Sequence, residues 1–287
     1  MLGTAWGSIY GHASETDIAI FIGVSGTLHQ QVHERKVRPI LTMLTEEEKE
    51  LYRRQIAVRD WGTEGQERLK GSRVFVAGAG GLGSAVLYSL AVAGVGNITV
   101  CDADNIELSN LNRQILHPHK NIGMPKVDSA AMTLAAANPF ITITKIQDRI
   151  TEENAETLVG GADLIMDCLD NHETRHFLNH VSVRRNVPMV HAGVSDFHGQ
   201  ITFIHPPDTP CLACFYPLES EPREIPVVGC TPAMLGALEG MEALKYLTGI
   251  GETLKGRLLL FDGLSAEFYT MNLEKAPGCR VCGGEGK

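Results

Sequence analysis

The chain has 287 residues, 44% hydrophobic and 21% charged, which is ordinary for a globular protein and enough to bury a sizeable core. A formal net charge of −9 argues against nucleic acid held by a basic field, and no apolar run is long enough to span a bilayer. Seven cysteines, four of them in two C-x-x-C pairs, with no basic-then-apolar export segment at the N-terminus, read as reduced thiols and metal ligands in the cytoplasm rather than disulfides.

Residues 1–44 have no sustained periodicity and read as a poorly ordered extension or an appended docking segment; Ile18 to Val24 could form a short strand there. Order is expected from Thr45. Thr45-Glu46-Glu47-Glu48 is a capping box opening a helix that runs to Gln55, with Arg53 and Arg54 near its end. Gly65 to Leu69 is a second short helix.

A βαβ unit follows. Val74-Phe75-Val76-Ala77 is an apolar strand, Gly78-Ala79-Gly80-Gly81-Leu82-Gly83 a glycine loop, and Ser84 to Ala93 a helix stopped by Gly94. Ile98 to Cys101 is the second strand and ends at Asp102. Glycines at this turn let a backbone approach phosphate, the helix N-terminus supplies N–H donors, and an acid ending the second strand can accept from a ribose hydroxyl. A dinucleotide or ATP would fit such a seat; a merely structural turn is the alternative.

Asn105 to Asn121 is dense with donors, among them Asn110, Asn112, Arg113, Gln114 and His117, and its place after the second strand faces it to the nucleotide crevice. Pro125 and Lys126 open a helix to Ala137, Ile141 to Ile146 alternates like a strand, and Thr151-Glu152-Glu153 caps another helix. Leu164 to Cys168 is a continuous apolar strand of the kind buried in parallel sheets, ending in Asp170-Asn171. Glu173 to Arg185 reads as a helix and Pro188 to Ala192 as a strand. From Gly193 the pattern turns mixed or antiparallel. Strands are expected at Gln200 to His205, Arg257 to Phe261 and Glu267 to Leu273, around a helix from about Ala233 to Leu247. The expectation is one α/β body, a Rossmann-like, doubly wound, mostly parallel sheet continuing into a mixed C-terminal half. Residues about 70–192 would bind nucleotide.

Cys211-Leu212-Ala213-Cys214 and Cys279-Arg280-Val281-Cys282 are two knuckles whose four thiolates suit a tetrahedral Zn²⁺ in a closed, structural site. Four unrelated cysteines, or one redox pair, would be the plainer account. Cys101 and Cys168 sit in strands as small core residues. Cys230 stands at a loop-to-helix junction, where a helix N-terminus can lower a thiol pKa, or where it simply packs. Among the acids, Asp102 fits a ribose acceptor, Asp104 lies beside it, and Asp170 fits a Mg²⁺ or phosphate-proximal role. Asp167, inside the apolar strand, reads as a buried structural acid. Arg113 and Lys126 are the cations that could reach phosphates, arginine bidentately. His191 and His198 read as polar packing.

Taken together and in order, Gly78 to Ser84, Asp102-x-Asp104, Ser109-Asn110-Leu111-Asn112-Arg113-Gln114, Gly123-Met124-Pro125-Lys126-Val127, Asp167 to Asn171, the two C-x-x-C pairs and Tyr52-Arg53-Arg54-Gln55 resemble the MoeB/ThiF/HesA family of ubiquitin-activating-like enzymes. The resemblance runs from about Glu46 to Gly283. It implies a homodimer that binds ATP and Mg²⁺ and adenylates the C-terminal Gly-Gly carboxylate of a small ubiquitin-fold sulfur carrier such as MoaD or ThiS. It implies that Asp102 holds the ribose, that Asn110, Arg113 and Lys126 handle phosphates, and that Asp170 aids magnesium and catalysis. Arg54 would reach the neighbouring protomer's triphosphate, and residues about 193–287 would hold carrier and zinc. Members with a catalytic cysteine usually carry it between the first C-x-x-C and the following helix. Here Leu218 to Val228 contains none. An NAD-dependent oxidoreductase would use the glycine loop and Asp102 equally well but leaves Arg113, Lys126, Asp170 and the knuckles unexplained. A non-catalytic scaffold would need none of Arg54, Arg113, Lys126 and Asp170.

Overall fold

A strand that is apolar at every position has no face to expose, so it must be covered on both sides. Val74 to Ala77 and Leu164 to Met166 are such runs, and the computed structural model, which describes residues 43–216 and 225–283, places them side by side in the interior of one sheet. Its eight strands are β1 (Arg73–Ala77), β2 (Asn97–Cys101), β3 (Thr142–Ile146), β4 (Leu164–Asp167), β5 (Met189–Ser195), β6 (His198–Ile204), β7 (Arg257–Asp262) and β8 (Glu267–Asn272). They lie in the order β3-β2-β1-β4-β5-β6-β7-β8. Pairs from β3 to β5 are parallel and those from β5 to β8 antiparallel.

The two-residue period of β1 sorts its side chains. Val74 and Val76 join a core with Leu87 and Leu90 of α4 (Gly81–Ala93), Val127 and Leu134 of α5 (Lys126–Ala137), and Leu235 and Ala243 of α8 (Cys230–Thr248). Phe75 and Ala77 join a second core with Val159 of α6 (Ala155–Val159) and Leu178 and Val181 of α7 (His172–Arg185). Helices on both faces leave the inner strands β1 and β4 little water to meet, which is why their sequences do not alternate, whereas β3, at the sheet edge, is largely exposed and does.

Element ends differ from the sequence reading where a side chain turns inward or closes a turn. The capping box forms: the Glu48 N–H donates to Thr45 Oγ1 at 3.2 Å and the Thr45 N–H to Glu48 Oε2 at 2.7 Å. The expected single helix breaks at Tyr52 into α1 (Glu46–Leu51) and α2 (Arg53–Ile56), where the buried Tyr52 hydroxyl accepts from Asn138 Nδ2 at 2.7 Å. The next helix, α3, is longer than expected, at Gly62–Gly71. Thr151 and Asn154 close a turn on each other, Thr151 N–H to Asn154 Oδ1 at 2.8 Å and Asn154 N–H to Thr151 Oγ1 at 3.4 Å, so α6 starts only at Ala155. The described residues belong to the compact unit Ile40–Lys287, and Leu44 is already buried in it. The expected strand at Ile18 to Val24 and the rest of residues 1–42 lie outside the described residues.

The turn from β1 into α4 has no room for a side chain at two of its glycines. Gly78 has φ +95°, and a Cβ on Gly83 would lie 2.1 Å from the Gly78 carbonyl oxygen. Gly80 is open by comparison, its nearest neighbour to a Cβ being Gln114 Nε2 at 3.8 Å. Gly83→Ala is therefore expected to destabilise the nucleotide-free protein by about 1–3 kcal/mol, as overpacking does, and Gly80→Ala by less than about 0.5 kcal/mol. Urea unfolding of both variants checks this, and equal stabilities would contradict it.

Candidate active site

The chain steps outward from β1 to β2 to β3, then returns to place β4 on the other side of β1. Open α/β sheets bind ligands beyond the carboxyl ends of the strands at such a reversal. A cleft of about 2780 Å³ lies there, lined among others by Gly78, Gly80, Gly81, Asp102, Asp104, Arg113, Gln114, Lys126 and Asp170.

Asp102 ties the two strand ends together. Its Oδ2 accepts the Ala79 N–H of the glycine loop at 2.8 Å, and its Oδ1 accepts the Asp104 N–H at 2.9 Å. Each oxygen keeps a lone pair for a ligand hydroxyl. Lys126, the first residue of α5, is buried and its Nζ stands 2.8 Å from Asp104 Oδ2. Arg113 is half-buried. Its Nη1 donates to the Ser109 carbonyl at 2.8 Å and to Asn112 Oδ1 at 3.1 Å, leaving the rest of the guanidinium open to the cleft. Asp170 lies three residues beyond the end of β4 and is exposed on the cleft wall.

Three expected site residues do not line this cleft. Gly83 packs against the loop behind it. Asn110 is buried, with Oδ1 accepting the Glu107 N–H at 3.1 Å. Arg54, on α2, is exposed. Cys230 is the first residue of α8 and is exposed, outside the cleft lining.

Other groups back the site from behind the cleft wall. Buried His117 bridges the Ala79 carbonyl (Nε2, 2.8 Å) and Ser129 Oγ (Nδ1, 3.1 Å), so Nε2 carries the proton and the glycine loop is held from behind. Asp167, at the end of β4, is fully buried as expected. Its Oδ2 lies 2.7 Å from His191 Nδ1, and Arg175 Nε approaches Oδ1 at 3.7 Å. His191 in turn meets the Gln200 side-chain nitrogen with its Nε2 at 3.4 Å. Only strand pairing brings these residues together, and no spacing announces it.

The four knuckle cysteines form one cluster. Cys211 and Cys279 sulfurs are 3.7 Å apart, Cys214 and Cys282 sulfurs 3.3 Å, and all four lie within 4.8 Å of one another. Burial pushes the Cys211 thiol up. Burial also opposes ionisation of Cys279, but the Cys282 and Val281 N–H groups draw it down to about 6. The set could hold a metal ion. No helix among the described residues is long and apolar enough to cross a membrane.

Residues 52–281 match the ThiF family. The chain belongs to that family. It is 40% identical over 252 residues to a sulfur carrier protein adenylyltransferase of Thermus thermophilus, covering 84% of this chain and 93% of the relative. It is 39% identical over 245 residues to the molybdopterin-synthase adenylyltransferase of Escherichia coli, covering 84% and 98%. Among solved structures, E. coli MccB with MccA-N7isoASN superimposes with a TM-score of 0.75 at 23% identity, over 82% of this chain and 75% of that one, a likeness of fold. The resemblance of the sequence motifs to this family is thereby borne out, as is the mixed α/β sheet.

The buried imidazoles make stability depend on pH. Burial holds His191 and His117 below the ordinary 6.5; Asp167 opposes this for His191, and the Ala79 carbonyl does so for His117. Both are neutral in the fold and take up a proton on unfolding, so the unfolded chain binds more protons and stability falls as pH drops below 6.5. Burial opposes ionisation of Asp167, but Arg175 and His191 hold its carboxyl below the ordinary 3.8, so its contribution is lost only in stronger acid. Urea unfolding at pH 7.5 and 5.5 should show lower stability at 5.5. His191→Gln should flatten the slope by up to about 1.4 kcal/mol per pH unit, one proton's worth. An unchanged slope in both His191→Gln and His117→Gln would contradict this account.

Proposed function

We propose that this chain adenylates the C-terminal glycine carboxylate of a small ubiquitin-fold sulfur carrier of the MoaD or ThiS type, consuming ATP and releasing pyrophosphate in molybdopterin, thiamine or related sulfur transfer. One observation carries the reading. The glycine loop, Asp102, Arg113, Lys126 and Asp170 converge on one cleft, in a chain about 40% identical to enzymes named for that activity along nearly their whole length. A dehydrogenase would have no use for the two cations and Asp170 together.

In this reading Asp102 accepts from the ribose, and the triphosphate lies along the loop and the N-terminus of α4. The free guanidinium edge of Arg113 grips phosphate oxygens, and Lys126 shares its ammonium between Asp104 and phosphate. Acidic residues, Asp102, Asp104 and Asp170 among them, outnumber the basic ones along the cleft, so a polyanion would be repelled without a bound cation. Asp170 and phosphate oxygens are the hard oxygen donors Mg²⁺ takes, and bound Mg²⁺ would offset charge gathering on the leaving pyrophosphate. The carrier's carboxylate oxygen bonds to the α-phosphorus. The bond from α-phosphorus to its bridging oxygen breaks, and the electron pair departs with pyrophosphate. The nucleophile belongs to the substrate, so positioning and charge are what the protein supplies, and Cys230 is not required. The carrier would dock on the antiparallel part within residues 193–287. Arg54, outside its own chain's cleft, would serve the site of a second copy in a homodimer. Reduced cysteines fit a cytoplasmic setting.

For the knuckles the ion would be Zn²⁺. Zn–S bonds of about 2.3 Å in a tetrahedron put sulfurs about 3.8 Å apart, close to the 3.7 and 3.3 Å here. Its charge would let the buried Cys211 ionise, and the site would fasten Cys279 and Cys282 to the body. Purified protein should carry about one zinc per chain, and Cys279→Ser should lower both zinc content and melting temperature. Elemental analysis finding no zinc in reduced, chelator-free protein would rule the site out.

The reaction is tested by carrier-dependent ATP–pyrophosphate exchange. Asp170→Ala is expected to keep measurable ATP affinity by calorimetry and to lose exchange by roughly 10²-fold or more, the scale of one preorganised charged group. Mixing Asp170→Ala chains with Arg54→Ala chains should restore part of the rate, because one site of each mixed dimer is intact. No exchange by the wild-type protein with any ubiquitin-fold carrier ending in Gly-Gly would overturn the reading.

A further inference from the structure

The cleft wall on the β5–β6 side carries a polar relay that the adenylation chemistry above leaves unused. Ionised Asp167 needs a donor, so His191 must place its proton on Nδ1, 2.7 Å away. In the neutral ring Nε2 is then a bare acceptor, and it can be satisfied at 3.4 Å only if the Gln200 amide turns its N–H toward it. The orientation of Gln200 is thus dictated from the fully buried Asp167, two strands away. Its carbonyl oxygen is left without a protein donor among the described residues, on a half-buried side chain that lines the cleft. Gly193, the cross-strand partner of Gln200, makes the room. A Cβ there would stand 3.4 Å from Gln200 Nε2 and 3.3 Å from Arg175 Nη1. Arg175 closes the back of the relay by donating to the Ala192 carbonyl at 3.0 Å and to the Tyr216 hydroxyl at 2.7 Å.

We propose that Gln200 Oε1 accepts a backbone N–H from the last two peptide bonds of the carrier's Gly-Gly tail, with His191 and Asp167 as positioning residues. This rests on the adenylation reading and names how the same site takes its protein substrate. Glycines offer no side chains, so a site that selects them must read backbone donors and acceptors, and a fixed carbonyl reads an N–H. A ribose held at Asp102 does not supply that donor. β6 lies four strands from β2, about 19 Å at ~4.8 Å per strand, too far from a ribose held at Asp102. The tail does reach. β6 lies two strands, about 10 Å, from β4, a span of about three extended residues. Gln200 leans back over Gly193 on the strand between, toward the β4 side, where the residues just before a carboxylate placed for attack would pass.

The test uses the full-length protein and a Gly-Gly-tailed ubiquitin-fold carrier semisynthesised in three forms: native, and with the N–H of the last or the penultimate peptide bond replaced by an ester oxygen. The readout is the carrier KM and the kcat of ATP–pyrophosphate exchange. With the wild-type protein one ester form should show a KM about fivefold higher than native, the scale of one neutral hydrogen bond. Gln200→Leu should raise the native carrier's KM by a similar factor, with a smaller change in kcat, and should no longer distinguish that ester from native. His191→Leu, with Gln200 intact, should shrink the same discrimination, which a merely structural lesion would leave in place. Wild-type indifference to both esters would overturn the proposal without any variant. Undiminished discrimination by Gln200→Leu would also overturn it, while leaving adenylation standing. Absence of exchange with the native carrier would overturn the adenylation reading and this one together.

Discussion

Because β1 has parallel neighbours on both sides, the loop that leaves it cannot avoid the ends of β2 and β4. Everything at the cleft follows from that placement. The end of β2 brings Asp102 under the glycine loop, where it holds the Ala79 N–H, and the end of β4 brings Cys168 so close that Gly78 has no room for a side chain. Both contacts are made by backbone or by a side chain fixed to backbone. The loop is therefore set before any ligand arrives, and a phosphate meeting it requires little reordering.

Charge at this edge is balanced narrowly. The chain is acidic overall, and Asp102, Asp104 and Asp170 face the cleft. Arg113 is half exposed, whereas Lys126 is buried and paired with Asp104. Asp104 holds the Lys126 ammonium at the cleft wall. The pair stores a cation that a phosphate can share, while Arg113 keeps part of its fork free. An adenylyltransferase needs this arrangement more than a dehydrogenase does, since negative charge moves along the triphosphate as pyrophosphate leaves.

What the sequence makes legible is local. The glycine loop, the apolar parallel strands, the Thr45 capping box and the paired cysteines each rest on neighbours a few residues apart, and the structure places them as expected. What it hides depends on register. Tyr52 breaks its helix because Asn138 waits 86 residues away. Asn110 looks like a ligand residue in a donor-rich loop, yet it is buried and its side-chain oxygen accepts the Glu107 N–H. His191 reads as polar packing because only the β4–β5 pairing sets it against Asp167, and only the β5–β6 pairing brings Gln200 to it. The distinction is between chemistry carried by a turn and chemistry carried by a sheet.

The relay also gives a fully buried carboxylate beside the cleft something to do. Isolated, Asp167 would protonate; Arg175 and His191 keep it ionised. A hydrophobic residue in its place would pack at least as well, so the group is better understood by what its charge dictates than by the stability it contributes. Here the charge sets a tautomer, the tautomer sets an amide, and the amide presents one acceptor to the cleft. A reaction whose nucleophile arrives on the partner's chain end gives the enzyme little to do except orient that end. Orientation of a tail without side chains has to come from backbone-directed groups held as firmly as this one.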